Sequence, residues 1–147
     1  MENVYLRSMI YVGIDTGTDT GLAVWDGAKF ADVRTMKIHA ALKYVSDLAA
    51  ENPGNVTVII EDANKRKWIP QEKSMKERVG RAIGAGHVQR DATIWRDFCE
   101  DMGIVFQALP PRQGLTKWKP EYWAKVTRWK GRTSNHARDA ALLVFGR

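Results

Sequence analysis

The sequence predicts a single α/β domain, built on a mixed sheet that carries helices on both of its faces. Three observations support this prediction. The 147 residues suit one domain, two strand-like runs near the N-terminus are joined by a hairpin signal, and helical and strand-like patterns alternate after them. A hairpin makes antiparallel neighbours, whereas strands separated by helices usually pair in parallel. We therefore expect both kinds of pairing in one sheet.

The first three strands are predicted from short apolar runs. "MIYVGID" at residues 9–15 is apolar and β-branched, as buried strands are. "GLAVW" at 21–25 is the second strand, and Asp26-Gly27 is a two-residue hairpin signal from which "KFADVRTM" at 29–36 returns. The glycines and threonines of "GIDTGTDTG" at 13–21 predict a tight reversal between the first two strands.

A helix and a central strand are predicted next. Apolar residues at helical spacing run from Ala40 to Ala49, and "ENPGN" ends that helix. "VTVII" at 56–60 is typical of a strand covered on both faces, and it ends directly at Glu61. The polar, basic stretch "NKRKWIPQEK" at 64–73 predicts a loop.

The C-terminal half is predicted to hold a long helix, a fifth strand and two further helices. Ser74 and Glu77 form a capping box that begins the long helix, and Gly103 ends it. Three interior glycines predict a bend or close packing of a small face: Gly80, Gly84 and Gly86. "IVFQALPP" at 104–111 is the fifth strand. A proline begins a short helix over 120–129, and Ser134 or Asn135 caps the last helix, "HARDAALLVF".

Composition favours a nucleic-acid partner and excludes several other classes. The chain has 23 Lys and Arg against 17 Asp and Glu, a net charge of +6, which suits a polyanionic partner. No apolar run approaches the ~20 residues of a membrane span, and no signal-peptide core begins the chain. We therefore expect a cytoplasmic protein without a membrane partner. The lone cysteine, Cys99, cannot form an internal disulfide and is interpreted as a small buried hydrophobe.

Four polar residues stand on elements otherwise built to be buried. Asp15 ends the first strand, Glu61 ends the fourth, and His136 and Asp139 share a face in the first turn of the last helix. Singly, each is most simply a cap, a turn residue or a strand end. The first and fourth strands can be parallel neighbours, however, and their carboxyl ends then open onto one crevice against which the last helix can pack. We therefore predict that these four residues form one catalytic site and hold its metal.

Carboxylate oxygens and an imidazole nitrogen are suitable ligands for Mg²⁺ or Mn²⁺. Without metal, clustered carboxylates would repel one another. Two ions ~4 Å apart would neutralise them, activate a water and stabilise the leaving 3′ oxygen of a phosphodiester. The four residues therefore predict metal-dependent hydrolysis of a nucleic-acid backbone.

Basic and aromatic residues interleave in two stretches, and such stretches can track a backbone and stack on unpaired bases. The predicted DNA-binding residues are Lys65, Arg66, Lys67, Trp68, Arg112, Lys117, Lys119 and Lys125. Trp123 and Trp129 are favoured instead as core anchors of a short helix, since large aromatics are usually buried.

The ordered set "YVGIDTGTDTGLAVWD", "VIIEDAN" and "HARDAALL" resembles the RuvC Holliday-junction resolvases of the ribonuclease H-like superfamily. "ERVGRAIGAG" and "VFQALPPRQG" look like the glycine-containing helix and the following strand of that family. The resemblance covers nearly the whole chain from residue 9. It rests on these matches to the family's site motifs: Asp15, Thr20-Gly21, Glu61, His136 and Asp139-Ala140.

The resemblance implies a ribonuclease H-like fold with five strands in the order 3-2-1-4-5. It also implies a homodimer that binds a four-way DNA junction and nicks two strands symmetrically, in recombination or repair. Each active site would use two Mg²⁺ ions, with Mn²⁺ a possible substitute. The chain is shorter than the usual bacterial members and similar to compact viral or mobile-element versions, which would act in the host cytoplasm. The family's aromatic wedge has its nearest candidate here in Trp68.

Three other functions are compatible with parts of the pattern. The same fold could act on an RNA–DNA hybrid or structured RNA. "DTGT" also resembles the phosphate loop of actin and sugar-kinase ATPases, but that fold needs two domains and 147 residues supply one. A non-catalytic nucleic-acid-binding module would account for the charge, but four converging ligands would be superfluous in it.

Overall fold

The computed structural model describes residues 7–65, 74–111 and 118–147. The elements in chain order are β1 (Ile10–Asp15), β2 (Asp19–Trp25), β3 (Phe30–Lys37), α1 (Ile38–Glu51), β4 (Val56–Glu61), a short 3₁₀ turn (Ala63–Lys65), α2 (Met75–Met102), β5 (Val105–Leu109), α3 (Pro120–Thr127) and α4 (Asn135–Val144).

The five strands form one sheet in the order β3-β2-β1-β4-β5, as predicted. β2 pairs antiparallel with β1 and with β3, because hairpins join these strands. β4 pairs parallel with β1 and with β5, because helices connect the strands on this side. The chain therefore has a mixed α/β sheet with an antiparallel half and a parallel half.

The turn between β2 and β3 differs from its prediction. Trp25 pairs with Phe30, so the loop has four residues, 26–29, instead of two. The carboxylate of Asp26 accepts hydrogen bonds at 2.9 Å from the N–H groups of Lys29 and Ala28, and these bonds hold the pKa of Asp26 below its ordinary value. The hairpin itself was predicted, but the aspartate side chain organises a longer loop than its dipeptide signal indicates.

The sheet has an apolar core on each face. Along β1, Val12 and Ile14 point to the core that packs against α1 and α2. Tyr11 points to the opposite core, which packs against α3 and α4. Because side chains alternate along a strand, Gly13 and Asp15 lie on the same face as Tyr11. The carboxylate at the end of β1 is therefore on the face that α4 covers.

Helix α2 runs for 28 residues without interruption. Ser74 Oγ accepts a hydrogen bond from the Glu77 N–H at 3.2 Å, so the serine half of the predicted capping box is confirmed. The structure does not show the expected close packing at the interior glycines, since a Cβ at Gly80, Gly84 or Gly86 would meet no atom of the described residues within 4 Å. None of the described helices is long and apolar enough to cross a membrane.

Cys99, in the last turn of α2, lies fully buried in the core between that helix and the sheet, as predicted. Burial raises the pKa of its thiol to about 12, above the ordinary 9.0, so the neutral thiol is favoured in the folded state. This contribution to stability is present below pH 9.0 and is lost as the pH rises towards about 12.

Because the thiolate is the reactive form, we expect Cys99 to react with a disulfide reagent at pH 8 at least about a hundredfold more slowly in folded protein than in denatured protein. Timed absorbance measurements in buffer and in guanidinium would check this, and equal rates would contradict the burial.

Candidate metal centre

Asp15 and Glu61 occupy matching positions at the ends of two neighbouring parallel strands. The register of β1 and β4 pairs Asp15 directly with Glu61. Register partners lie about 4.8 Å apart across a ladder and project to the same face. The Thr16 hydroxyl also donates to the Glu61 carbonyl oxygen at 3.4 Å, which joins the two strand ends. The structure therefore brings together the two acids that the sequence placed at strand ends.

Helix α4 brings His136 to Asp15. Nδ1 of His136 lies 2.9 Å from Oδ2 of Asp15. An ionised carboxylate can only accept, so Nδ1 carries the proton in this hydrogen bond. Nε2 is then the ring atom through which His136 would hold a metal, an arrangement in which a carboxylate orients a ligating imidazole.

The N-terminus of α4 is held against the edge of the sheet. Ser134 Oγ caps the helix by accepting from the Ala137 N–H at 3.0 Å, as predicted. The same hydroxyl forms a hydrogen bond with the hydroxyl of Thr35 in β3. The cap therefore begins the helix and also ties its first turn to the sheet.

Two glycines allow the backbone of α4 to rest directly on β1 and β2. A Cβ at Gly21 would lie 2.0 Å from the His136 carbonyl oxygen, and one at Gly13 would lie 2.1 Å from that of Ala140. Only a residue without a side chain fits at such a separation. The predicted tight reversal is present between β1 and β2, but of the three glycines in this stretch only Gly17 lies in it, while Gly13 and Gly21 lie in the strands.

The second aspartate of the glycine-rich stretch has a different environment. Asp19 is the first residue of β2, and its Oδ1 lies 2.6 Å from Nζ of Lys37. The hydrogen bond from Lys37, with the charge of that lysine, holds the pKa of Asp19 below its ordinary value. Asp19 therefore joins β2 to β3 and has a structural role.

Asp139 follows His136 by one turn of α4 and is partly buried. Within the described ranges, no group of three or more His, Cys, Asp or Glu side chains lies close enough to hold a metal ion. The donor chemistry of Asp15, Glu61 and His136 suits Mg²⁺ or Mn²⁺. Metal binding by these residues, and the participation of Asp139, stay predictions.

A buried acid that the sequence interpretation did not single out anchors the backbone after Glu61. Asp62 is fully buried; its Oδ1 accepts from the Asn64 N–H at 2.9 Å, and its Oδ2 lies 3.4 Å from Nη1 of Arg96 on α2. Its own N–H donates to the Leu109 carbonyl oxygen at 2.7 Å. Asp62 thus holds the end of β4 between α2 and β5. The signal was present in "EDAN", since an aspartate side chain often accepts a hydrogen bond from the backbone N–H two residues further on.

Arg138 braces the first turn of α4 in a similar way. Its buried guanidinium donates to the carbonyl oxygen and the hydroxyl of Thr133, at 2.7 and 2.9 Å, and to the side-chain oxygen of Asn135 at 2.5 Å. These bonds fix the segment on both sides of the Ser134 cap. They help to hold His136 in place, a role that the sequence did not indicate.

The predicted DNA-binding residues are spread over separate surfaces. Lys65 follows Glu61 closely, and its ammonium group donates to the Ala108 carbonyl oxygen at 2.8 Å. Lys119 and Lys125 are exposed at the two ends of α3. Five predicted residues lie outside the described residues: Arg66, Lys67, Trp68, Arg112 and Lys117.

Helix α3 is anchored by an aromatic side chain, as predicted. Trp123 is buried and stacks on Phe30 with ring centroids 5.8 Å apart, and Trp129 packs partly buried against the same core. Phe30 begins β3, about 17 Å along that strand from Thr35, the residue that contacts the Ser134 cap. Of the described DNA-binding candidates, Lys65 is therefore the one tied to the strand ends that carry Asp15 and Glu61.

Comparison with solved structures identifies the fold. RuvC of T. thermophilus in complex with Holliday junction substrate matches with a TM-score of 0.53 and 19% sequence identity, over 92% of this chain and 90% of that chain. A second Thermus thermophilus RuvC structure matches with a TM-score of 0.49 at the same identity and coverage. No protein-family model and no curated protein sequence matches the chain. The first likeness shows that the chain has a RuvC-like, ribonuclease H-like fold.

Proposed function

We propose that the protein is a metal-dependent endonuclease that resolves four-way or branched DNA junctions. It would act as a homodimer that makes paired nicks during DNA recombination, repair or genome processing. The observation that carries this proposal is the alignment of Asp15 with Glu61 at the ends of parallel strands, with His136 bonded to Asp15 at 2.9 Å. The RuvC structure with a matching fold was solved with Holliday junction substrate, which supports the choice of junction DNA.

The site residues divide into ligands and supports. Asp15, Glu61, Asp139 and Nε2 of His136 would hold divalent metal, two Mg²⁺ ions in the full site. Bound there, the metal supplies Lewis-acid chemistry for phosphodiester hydrolysis. His136 Nδ1–H orients the Asp15 carboxylate, and Asp62 with Arg96 fixes the backbone from which Glu61 projects. These contacts hold the metal-binding side chains in place before substrate binds. Such positioning can account for a large part of an enzyme's rate enhancement.

Substrate binding is assigned to the predicted basic residues and Trp68. The net charge of +6 favours phosphate backbones in general. Lys65 and the predicted residues Arg66, Lys67 and Trp68 follow Glu61 in sequence, so they would meet the DNA next to the cut. Lys119 and Lys125 on α3 would extend this contact along the DNA, as would the predicted residues Arg112 and Lys117.

The proposal is tested with a synthetic mobile four-way junction incubated with and without Mg²⁺. We expect two symmetric nicks in opposite strands with Mg²⁺ or Mn²⁺ and none with a chelator, because the acids alone cannot generate the nucleophile. The readout is the cut position in each labelled strand on a denaturing gel. A plain duplex of the same sequence is the control, and a lack of junction cleavage with either metal would overturn the proposal.

Two further substrates in the same assay separate DNA from RNA specificity. An RNA–DNA hybrid duplex and a single-stranded RNA are incubated under identical conditions. Preferred cutting of the junction supports the resolvase assignment. Preferred cutting of the hybrid or the RNA would move the protein to the alternative, a ribonuclease H-like nuclease acting on RNA.

A further inference from the structure

Helix α3 and the segment that follows it concentrate the positive charge of the chain. Residues 118–133 contain five basic residues against the single acid Glu121, so this segment carries +4 of the net +6. All five are exposed, and none forms an ion pair with a described residue: Lys119, Lys125, Arg128, Lys130 and Arg132. Other exposed lysines, such as Lys37 and Lys43, lie in ion pairs of 2.6 and 2.8 Å. The unpaired cations after residue 118 therefore favour a polyanionic partner at this surface.

Tyr122 lies between two of these cations on the outer face of α3. Lys119 and Lys125 are three residues before and after it, and side chains at this spacing are neighbours on one face of a helix. The adjacent Trp123 points about 100° away around the helix, into the core, where it is 1% exposed. Tyr122 is 55% exposed, so its aromatic ring is presented to solvent between two lysines.

A second aromatic side chain holds the Tyr122 ring. Trp118 contacts it edge to face, with ring centroids 5.0 Å apart and ring planes at 76°. Trp118 in turn packs partly buried against the core on the α3 and α4 side of the sheet. A ring held in this way loses little side-chain entropy on binding, and the part of it that stays exposed can stack on a planar ligand.

We propose that the outer face of α3, formed by Lys119, Tyr122 and Lys125, binds single-stranded DNA. Tyr122 stacks on an unpaired base, and the two lysines contact the phosphates on either side of it. An aromatic side chain flanked by cations binds a single strand without reading its sequence, because every base has a π face. A duplex offers no such contact, since its bases already stack on one another.

This surface is a second contact, separate from the candidate metal centre. Trp123 anchors α3 on Phe30, which begins β3, whereas Thr35 near the end of that strand contacts the cap of the helix that carries His136. The choice of DNA over RNA rests on the proposed function. The choice of an unpaired strand rests on the contacts of α3 alone.

The test is the binding of a labelled oligo-thymidine, measured by fluorescence anisotropy in a chelator so that no cleavage takes place. We expect the parent chain to bind this single strand more tightly than a duplex of the same length. Tyr122→Ala should weaken single-strand binding about five- to a hundredfold, because one base–aromatic stack is lost. Tyr122→Phe keeps the ring and should bind within about twofold of the parent.

Lys119→Gln and Lys125→Gln test the phosphate contacts. Each should reduce the slope of log K against log salt concentration by about 0.7, the value for one phosphate contact on a single strand. Lys43→Gln is the matched control, because Lys43 is also exposed but is paired with Asp47 on α1, and it should leave the slope unchanged. Melting curves by circular dichroism should match the parent curve for all these variants, since the substituted side chains lie outside the core.

Equal affinity of the parent chain for the single strand and the duplex would overturn the proposal, as would a Tyr122→Ala variant that binds the single strand like the parent. Tighter binding of oligo-uridine than of oligo-thymidine would overturn the assignment to DNA. The two proposals fail separately. Single-strand binding through Tyr122 without any junction cleavage would refute the proposed function alone, whereas junction cleavage by a chain whose single-strand binding ignores Tyr122 would refute this surface alone.

Discussion

Asp15→Asn is expected to abolish junction cleavage while leaving the fold and junction binding intact. The amide is nearly isosteric with the carboxylate, and its oxygen can still accept the hydrogen bond from Nδ1 of His136. The substitution removes the negative charge with which Asp15 would bind divalent metal. We expect a loss of at least about a thousandfold in single-turnover cleavage rate, equivalent to about 4 kcal/mol of transition-state stabilisation. Junction affinity should not fall, because removing an acid does not weaken phosphate contacts.

Asp19→Asn is the matched control for this experiment. Asp19 lies four residues further along the chain, on an exposed salt bridge with Lys37 at 2.6 Å. This variant should cleave at nearly the parent rate. Cleavage by Asp15→Asn at the parent rate would show that the metal centre lies elsewhere, as would a loss of cleavage confined to Asp19→Asn.

Gly21→Ala is expected to lower both stability and cleavage, because α4 cannot keep its position. The new Cβ would lie 2.0 Å from the carbonyl oxygen of His136 and 2.4 Å from its carbonyl carbon, which are backbone atoms without rotamers to adjust. Overpacking of this kind costs about 1–3 kcal/mol. In a chain of this size the melting temperature should fall by roughly 3–10 °C. A shift of about 1 Å in His136 should reduce cleavage about a hundredfold.

Gly86→Ala serves as the control for the glycine experiment. Within the described part of the chain an added Cβ there meets no atom within 4 Å, so alanine should leave cleavage unchanged and raise helix stability by up to about 1 kcal/mol. Thermal melts and single-turnover cleavage of both variants are the measurements. A Gly21→Ala protein with the parent's melting temperature and cleavage rate would mean that α4 does not rest on this residue.

Much of the fold could be predicted because its signals are local. β-branched runs, the hairpin dipeptide and the capping serine each act within a few residues, and the order of strands and helices then favours few sheet topologies. The meeting of Asp15 with Glu61 followed from the same logic, since parallel strands end at the same edge. The length of the loop after β2 could not be predicted from the dipeptide alone, because the Asp26 side chain determines it.

The exposed N-terminal part of α2, residues 75–90, illustrates a different limit. The capping box predicted the start of this helix correctly, but a local signal cannot tell a face covered by the same chain from a face that the chain leaves exposed. Only the positions of the other elements show that Met75, Val79 and Ile83 remain uncovered within the described residues. Burial is a property of the assembled chain.

By itself, the sequence determined the element order and the candidate acids Asp15 and Glu61, because these depend on local propensity and on apolar patterning. The order of the strands in the sheet was implied by the resemblance to the RuvC family. The tertiary structure decided how His136 reaches Asp15 across 121 positions of the chain, and that two glycines admit the helix that carries it. It also decided that Asp62 and Arg138 support the site. Such contacts are lost when remote segments shift by a few tenths of an ångström. Packing of the whole domain sets the positions of these segments.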